Sequence, residues 1–554
     1  MNTMSAKRIW ATLDPFVEKG PVLGRTQANE GFLRGLLDLD PCDAYRFYPA
    51  SAAACGQLAA ALAERWPDMW AQGRIEVLER RLLPGELRRA PHHAFHLSDC
   101  IVHPGYLAAM RNACSGKIFP ITSVTHSLSY ARYGQDFLKH LSPCTTSRDA
   151  VVATSRAAVG AVRGFYDSLR QGYGLDPAVH REPAVVHIPL GVDLAEFQPQ
   201  DEVRRARCRR HLGFGAEVVF LVLARLCHAS KMDFLPILRC FHRLALAGFR
   251  LEGVRLVLAG WTDESDWGRG YLEDLARNIG LPLTVAERPT DEDRRALYAS
   301  ADVFLSPSDN LQETFGLTLL EAQASGLPVI ASDFDGYRDL VLHDETGLLV
   351  PTLGPSATDA VDLLAPMSFD NHTHLLLAQR LAVDVPAMAA AIRRLAENAG
   401  LRRDMGRAGV RNASGYSWRA VAGRYADLWE DLWTRPVPEV PEAPAKRHPS
   451  AVAYARVFAG FPSGTFGPDV MLTASRLGNA VYRGQDFPLV YEGLEAVVDE
   501  QALRTVLVLA RKPAPAPEIA QKLTASRPDM DEQAAQALVL WCLKHDLLER
   551  VHAS

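Results

Sequence analysis

The chain has 554 residues, enough for about two to four domains, and its 60 basic and 65 acidic residues leave a net charge of -5, which argues against bulk nucleic-acid binding. Hydrophobic content of 48% and charged content of 23% are those of a globular protein. Nine cysteines, scattered from Cys42 to Cys542 without a Cys-x-x-Cys pair, exclude a zinc ribbon and a disulfide framework; neither a leader in Met1–Lys19 nor an apolar run long enough to span a bilayer is found, so a reduced, cytoplasmic setting is expected.

The first half alternates strand and helix patterns. An apolar run at 9–13 leads into a glycine-bearing loop, Glu18 to Arg25, and then a helix from about Asn29 to Leu37. The loop lacks Gly-x-Gly-x-x-Gly, so a dinucleotide fingerprint is not supported. Further strands are predicted at 44–48, 74–78, 92–97, 117–125, 150–154 and 184–189, with an alanine-rich helix at 52–65. Such alternation predicts a parallel sheet covered on both faces. His92, His93, His96 and His103 cluster near one strand, and an exposed strand-end group is expected rather than a metal site. Arg74, Arg80, Arg81, Arg88 and Arg89 suggest a solvated charged face, or a face toward an anionic lipid surface or acidic acceptor. His126 ends the strand that precedes Ser127-Leu128-Ser129. Pro189 and Gly191 stop the last strand, and a charged helix from Val203 to Leu212 ends at Gly213.

The second half begins with the buried strand 218–226. Arg225 ends it, Lys231 lies in the following loop, and a helix is expected at 233–247. Both cations would sit at strand C-termini, where α/β sheets bind ligands. Strands follow at 256–261 and 303–308. Next comes Glu313-Thr314-Phe315-Gly316-Leu317, then a helix carrying Glu321, the turn Ser325-Gly326-Leu327-Pro328 and the strand Val329-Ile330-Ala331. Asp333-Phe334-Asp335 follows as a loop. Residues 352–384 show no strong period and are expected to be an insertion beside the cleft; helices resume at 385–398, 401–413 and from Tyr416 to Trp433. Arg435 to Ser450 carries five prolines and should be an extended linker. Helices at 517–523 and 532–543 and a short strand at 547–551 suggest a winged-helix-like module. Its 12 basic and 12 acidic residues over 446–554 favour a protein-binding or dimerising role over DNA binding.

The stretch from Asp309 to Asp339 resembles the nucleotide-sugar signature of retaining GT-B glycosyltransferases of family 4. Glu313 and Glu321 bracket seven residues, and Phe315, Gly316, Leu317, Ala324, Gly326, Leu327, Pro328 and Val329 match the rest of the string. The Gly191-Val192-Asp193 hinge with Phe197 and Pro199, and the Ala224-Arg225-Leu226 motif with Lys231, extend the resemblance over roughly residues 9–434. The resemblance implies an N-terminal Rossmann-like acceptor domain (1–195), a nucleotide-sugar domain (196–415) and a crossover helix (416–434); the Pro-rich linker (435–450) and the accessory module (451–554) lie outside it. It implies that Arg225, Lys231 and the N–H groups around Thr314, Phe315, Gly316 and Leu317 hold the donor diphosphate. Glu313 would hold sugar hydroxyls and Glu321 the ribose; Gly24 would line the cleft, Arg25 would reach the acceptor, and His126 would lie near the transferred sugar. No metal or other cofactor is required on this reading, the nucleoside diphosphate sugar being a co-substrate. Two departures stand out: Met232 replaces the usual glycine after the lysine, and Asp335-Gly336 with Asp339 replaces the usual Gly-Gly and later Glu. The implied activity is sugar transfer with retention to a glycan, lipid-linked or protein acceptor, with peripheral membrane contact and homodimerisation open. The alternatives are a non-catalytic scaffold of the same fold acting through its C-terminal module, and a phosphorylase or epimerase.

Overall fold

The computed structural model describes residues 7–17, 24–262, 267–368, 371–438, 448, 450, 452–491, 494, 498–528 and 530–551. Two compact units divide the chain, Met1–Ser450 and Ala451–Ser554. The first unit contains two parallel sheets.

The first sheet is built from β1 (Ile9–Thr12), β2 (Ala44–Phe47), β3 (Ile75–Val77), β4 (Ala94–Leu97), β5 (Ile121–Val124), β6 (Asp149–Ala153) and β7 (Ala184–His187), in the order β3-β2-β1-β4-β5-β6-β7. The second holds β8 (Val218–Leu223), β9 (Val254–Gly260), β10 (Leu283–Glu287), β11 (Val303–Ser306), β12 (Val329–Ser332) and β13 (Gly347–Val350), in the order β10-β9-β8-β11-β12-β13. β8 registers Val218 against Val254 on one side, and Phe220 against Val303 on the other. Its residues from Val219 to Leu223 are all buried, as a strand covered on both faces requires. The connections leave β8 and β11 in opposite directions, so a crevice opens at their C-terminal ends.

The helix Trp418–Thr434 returns to the first sheet and packs on the helix Gly24–Leu39. Trp429 is fully buried there, and its Nε1–H donates to Thr122 Oγ1 at 3.0 Å. The Val192 N–H donates to Tyr416 O at 2.8 Å, pinning the hinge to the start of this helix.

Several expectations change. The first helix begins at Gly24 rather than near Asn29. Residues 352–384 form two helices, Asp359–Ser368 and Asn371–Ala378, flanked by the short antiparallel pair β14 (Thr352–Leu353) and β15 (Ala382–Val383). Glu18–Leu23 of the first loop, and 439–447 and Pro449 of the proline-rich segment, lie outside the described residues.

The C-terminal unit has a small antiparallel sheet, β17 (Ala514–Pro515), β16 (Met471–Ala474), β18 (Leu548–Arg550), in that order. Helices Glu500–Leu509, Ala516–Ser526 and Glu532–Lys544 share a core of Leu503, Leu507, Ile519, Leu523, Leu538 and Cys542. Among the described residues no helix is long and apolar enough to cross a membrane.

Candidate active site

The crevice at the ends of β8 and β11 is lined by two loops stitched together. The Asn310 amide donates to Ala229 O at 2.9 Å, Ser308 Oγ to Lys231 O at 3.1 Å, and the Asp233 N–H to Asp309 at 3.2 Å. These bonds fix the path on which Lys231 sits, so the Met232 departure is accommodated; Met232 is itself fully buried in the core.

Lys231 Nζ is ion-paired with Glu313 Oε2, and both side chains are largely buried. Glu313 Oε1 accepts the N–H groups of Thr314 and Phe315, each at 3.2 Å. The Tyr337 hydroxyl donates to Glu313 Oε2 at 3.2 Å and lies 2.9 Å from Ser306 Oγ. Burial pushes Glu313 upward, but Lys231 and the two N–H groups outweigh it and hold the carboxyl below its ordinary value. Burial likewise opposes the Lys231 charge, and Glu313 overrides it, so the ammonium is held above its ordinary value. Exposed Arg225 donates to Ser230 Oγ at 3.1 Å and feels the Lys231 charge.

The helix Leu317–Ala324 starts here. Gly316 precedes it at φ 106°, and a Cβ there would lie 2.5 Å from the Tyr337 ring. Opposite, a Cβ on Gly336 would lie 2.6 Å from Thr314 O. Two glycines thus let the loop after β12 close against the Glu313 loop. The helix tip differs from the expectation in one respect: the Thr314 and Phe315 N–H groups are taken by Glu313, which leaves Gly316 and Leu317 at the tip, where the first N–H groups lack intrahelical acceptors.

Glu321 is buried two turns further on. It accepts the Tyr298 hydroxyl at 2.7 Å and lies 3.8 Å from Arg294 Nη1, whose Nη2 pairs with Glu196 at 3.0 Å. The Arg294 guanidinium also covers the Phe197 ring at 5.2 Å. Burial raises the Glu321 carboxyl, and Arg294 and Tyr298 offset only part of this. Sequence reasoning missed Arg294, Tyr298 and Tyr337. The capping box at Thr290 and Asp293 marks the helix bearing the first two, but nothing in the string selects Tyr337.

On the first sheet, His126 Nε2 lies 2.9 Å from Ser98 O, and burial with nearby Arg25 pulls its pKa down to about 4. Gly24 opens the first helix, and Arg25 Nη1 stands 3.9 Å from Asp99 Oδ2. Among the described residues no contact joins His126 to Lys231 or Glu313. The two sheets meet through other side chains. The Arg156 N–H donates to Asp339 Oδ2 at 2.7 Å, Ser155 Oγ lies 3.5 Å from Asp335 Oδ1, and His374 bridges Gln312 (2.8 Å) to Ser129 (2.9 Å).

One surface reading is corrected. His92 and His96 are buried, not exposed: His92 bonds the Tyr48 hydroxyl at 3.2 Å, His96 bonds Thr122 Oγ1 at 3.0 Å, and burial pushes both down to about 3. Among the arginines, Arg74 pairs with Asp40, Arg81 with Glu79 and Arg89 with Glu86, while Arg80 donates to the carbonyls of Leu13 and Tyr48. Four of the five are therefore engaged locally, and Arg81, Arg88 and Arg89 are exposed, as in a solvated charged face.

The family model "Glycosyl transferases group 1" matches residues 217–365. A D-inositol 3-phosphate glycosyltransferase of Kineococcus radiotolerans is 32% identical over 253 residues, which is 45% of this chain and 51% of the relative. One from Xylanimonas cellulosilytica is 33% identical over 236 residues, 42% of this chain and 52% of the relative. The chain thus spans about half the length of these curated relatives. Among solved structures, Anabaena Alr3699/HepE in complex with UDP superposes with a TM-score of 0.51 at 14% identity, over 77% of this chain and 100% of that one. A glycosyltransferase from Rickettsia africae ESF-5 gives 0.51 at 14% identity, over 78% and 100%. Residues 217–365 thus match a group 1 glycosyltransferase family model, within a GT-B fold of two Rossmann-like halves facing a cleft and followed by a C-terminal region outside that match.

Proposed function

We propose that the protein transfers a sugar from a nucleoside diphosphate sugar to an acceptor hydroxyl, with retention of anomeric configuration. The observation that supports this most is the Lys231–Glu313 pair, buried at the tip of the Leu317–Ala324 helix and at the switch point of the second sheet. Departure of the diphosphate concentrates negative charge on its oxygens, while the anomeric carbon becomes oxocarbenium-like. Lys231, Arg225 and the Gly316 and Leu317 N–H groups oppose that charge as fixed donors. Glu313 holds Lys231 in place and offers its carboxylate to sugar hydroxyls; Glu321 takes the ribose. Front-face attack suits this arrangement: the acceptor oxygen bonds the anomeric carbon on the face the phosphate leaves, and the leaving phosphate takes the proton. Each charge-assisted contact contributes roughly 1.5–3 kcal/mol, so losing one lowers transfer on the order of 10- to 100-fold.

The test is a thermal-shift screen against nucleoside diphosphates and their sugars. One base series should raise the melting temperature, because ligand binding favours the native state. Glu313→Gln should lower transfer on the order of 100-fold and lower nucleoside diphosphate affinity by less. A scaffold would ignore that substitution, and a phosphorylase or epimerase would turn the donor over without an acceptor. D-inositol 3-phosphate, the acceptor named in the relatives, is the first acceptor to assay; glycan, lipid-linked and protein acceptors follow. Deleting 451–554 should leave the nucleotide-induced shift intact, since every donor-side residue lies in the first unit. A shift lost with that segment would place the C-terminal unit in donor binding.

A further inference from the structure

The loop after β12 and the short helix Tyr337–Leu340 that follows carry three acidic residues, and two have charged partners. Asp333 pairs with Arg338 at 3.2 Å, and Asp339 pairs with Arg156 across the cleft. Among the described residues Asp335 makes no ion pair. Its carboxyl meets only the Gly336 N–H and, at 3.5 Å, the Ser155 hydroxyl. Its backbone is left-handed, at φ 47°, a conformation that aspartate tolerates and that Asp40, Asp344 and Asp546 also adopt. The residue is fixed beside the Glu313 carboxylate: Gly336 packs on the Thr314 carbonyl, Tyr337 packs on Gly316, and Glu313 acts electrostatically on Asp335.

We propose that Asp335 is a specificity-determining residue of the sugar pocket: its carboxyl, held beside Glu313 and facing Ser155 across the cleft, accepts a hydrogen bond from a hydroxyl of the transferred sugar. The inference rests on the glycosyltransferase reading above and deepens it. A glycine at this position offers only backbone to the sugar; the aspartate adds an acceptor, and so favours donors that present a hydroxyl there. The site is also sensitive to pH. Burial and Glu313 push the Asp335 carboxyl up to about 7, and the Gly336 N–H, Ser155 and Arg338 offset only part of this. The other charged groups around it, Lys231 paired with Glu313 and Arg156 paired with Asp339, are already committed. The carboxyl therefore ionises across neutral pH and grips a hydroxyl more strongly as pH rises.

The experiment is calorimetry on the full chain, comparing affinity for a nucleoside diphosphate with affinity for its sugar conjugates. In the wild type, the sugar-dependent part of the affinity should rise between about pH 6 and 8. Asp335→Asn should cut that part by about 10-fold and flatten its pH dependence, the loss of one charge-assisted bond, with nucleoside diphosphate affinity unchanged. Asp335→Gly should cut it equally without lowering the melting temperature, since the left-handed backbone suits glycine. A sugar-dependent affinity that survives both variants overturns the assignment and leaves the donor-site reading standing. A wild type that binds no nucleoside diphosphate overturns both.

Discussion

Lys231→Met is expected to destabilise the first unit by about 3–5 kcal/mol, because it leaves Glu313 as an unpaired charge in a largely buried site. Urea denaturation followed by tryptophan fluorescence reads this as a lower midpoint. Transfer should fall by at least about 100-fold, as a fixed cation facing the departing diphosphate disappears. The double variant Lys231→Met with Glu313→Gln separates the two effects. It removes both charges, so most of the stability should return while transfer stays lost. The pH dependence has a defined sign. Glu313 sits below its ordinary 4.5, so its contribution is present above that value and is lost as pH falls through the folded pKa. Lys231 sits above its ordinary 10.5, so its contribution is present below that value and is lost as pH rises through the folded pKa. The wild type should therefore keep its advantage over the double variant between about 4.5 and 10.5 and lose it outside. An unchanged midpoint in Lys231→Met would contradict the buried pair.

Much of the donor half was legible because it depends on local order. A buried strand, read as reaching Leu226 but ending at Leu223, a lysine a few residues on, and a glutamate just before a helix must converge once β8 and β11 are neighbours. Contacts that link distant segments were not legible. His374 reaches Ser129 across 245 positions, and nothing periodic announces it. Its segment read as irregular for a physical reason: the helix before it contains Pro366 and leaves Leu363 and Met367 in solvent, so no apolar stripe forms. The histidine cluster was misjudged in the opposite direction. His92 is buried because Tyr48, Phe95 and Phe119 surround it, and each comes from a different part of the first sheet. Asp335 was read as part of a donor-side loop; its place beside Glu313 and Ser155 depends on segments far apart in the chain.

Arg294→Met is expected to have an effect of similar size and opposite pH dependence. Glu321 is buried, and Arg294 is the cation nearest to it. Without the guanidinium only the Tyr298 hydroxyl remains to compensate the carboxylate, at a cost of about 3–5 kcal/mol near neutral pH. Glu321 already lies above its ordinary 4.5, and losing Arg294 drives it further up. A carboxyl raised in the folded state binds its proton more readily there than in the unfolded chain, so stability grows as pH falls through the folded pKa. The deficit of the variant should thus shrink on acidification, whereas the wild-type Lys231–Glu313 pair weakens under the same change. Nucleoside diphosphate affinity should fall about 10-fold near neutral pH, and by less once acidification protonates the raised Glu321 carboxyl. Arg294→Lys tests the geometry, because an ammonium keeps the charge but cannot reach Glu321 and Glu196 with one planar fork. It should recover part of the stability and little of the affinity. A deficit that stays constant with pH would show that Glu321 is not the group Arg294 compensates, and the ribose role given to Glu321 would fall with it.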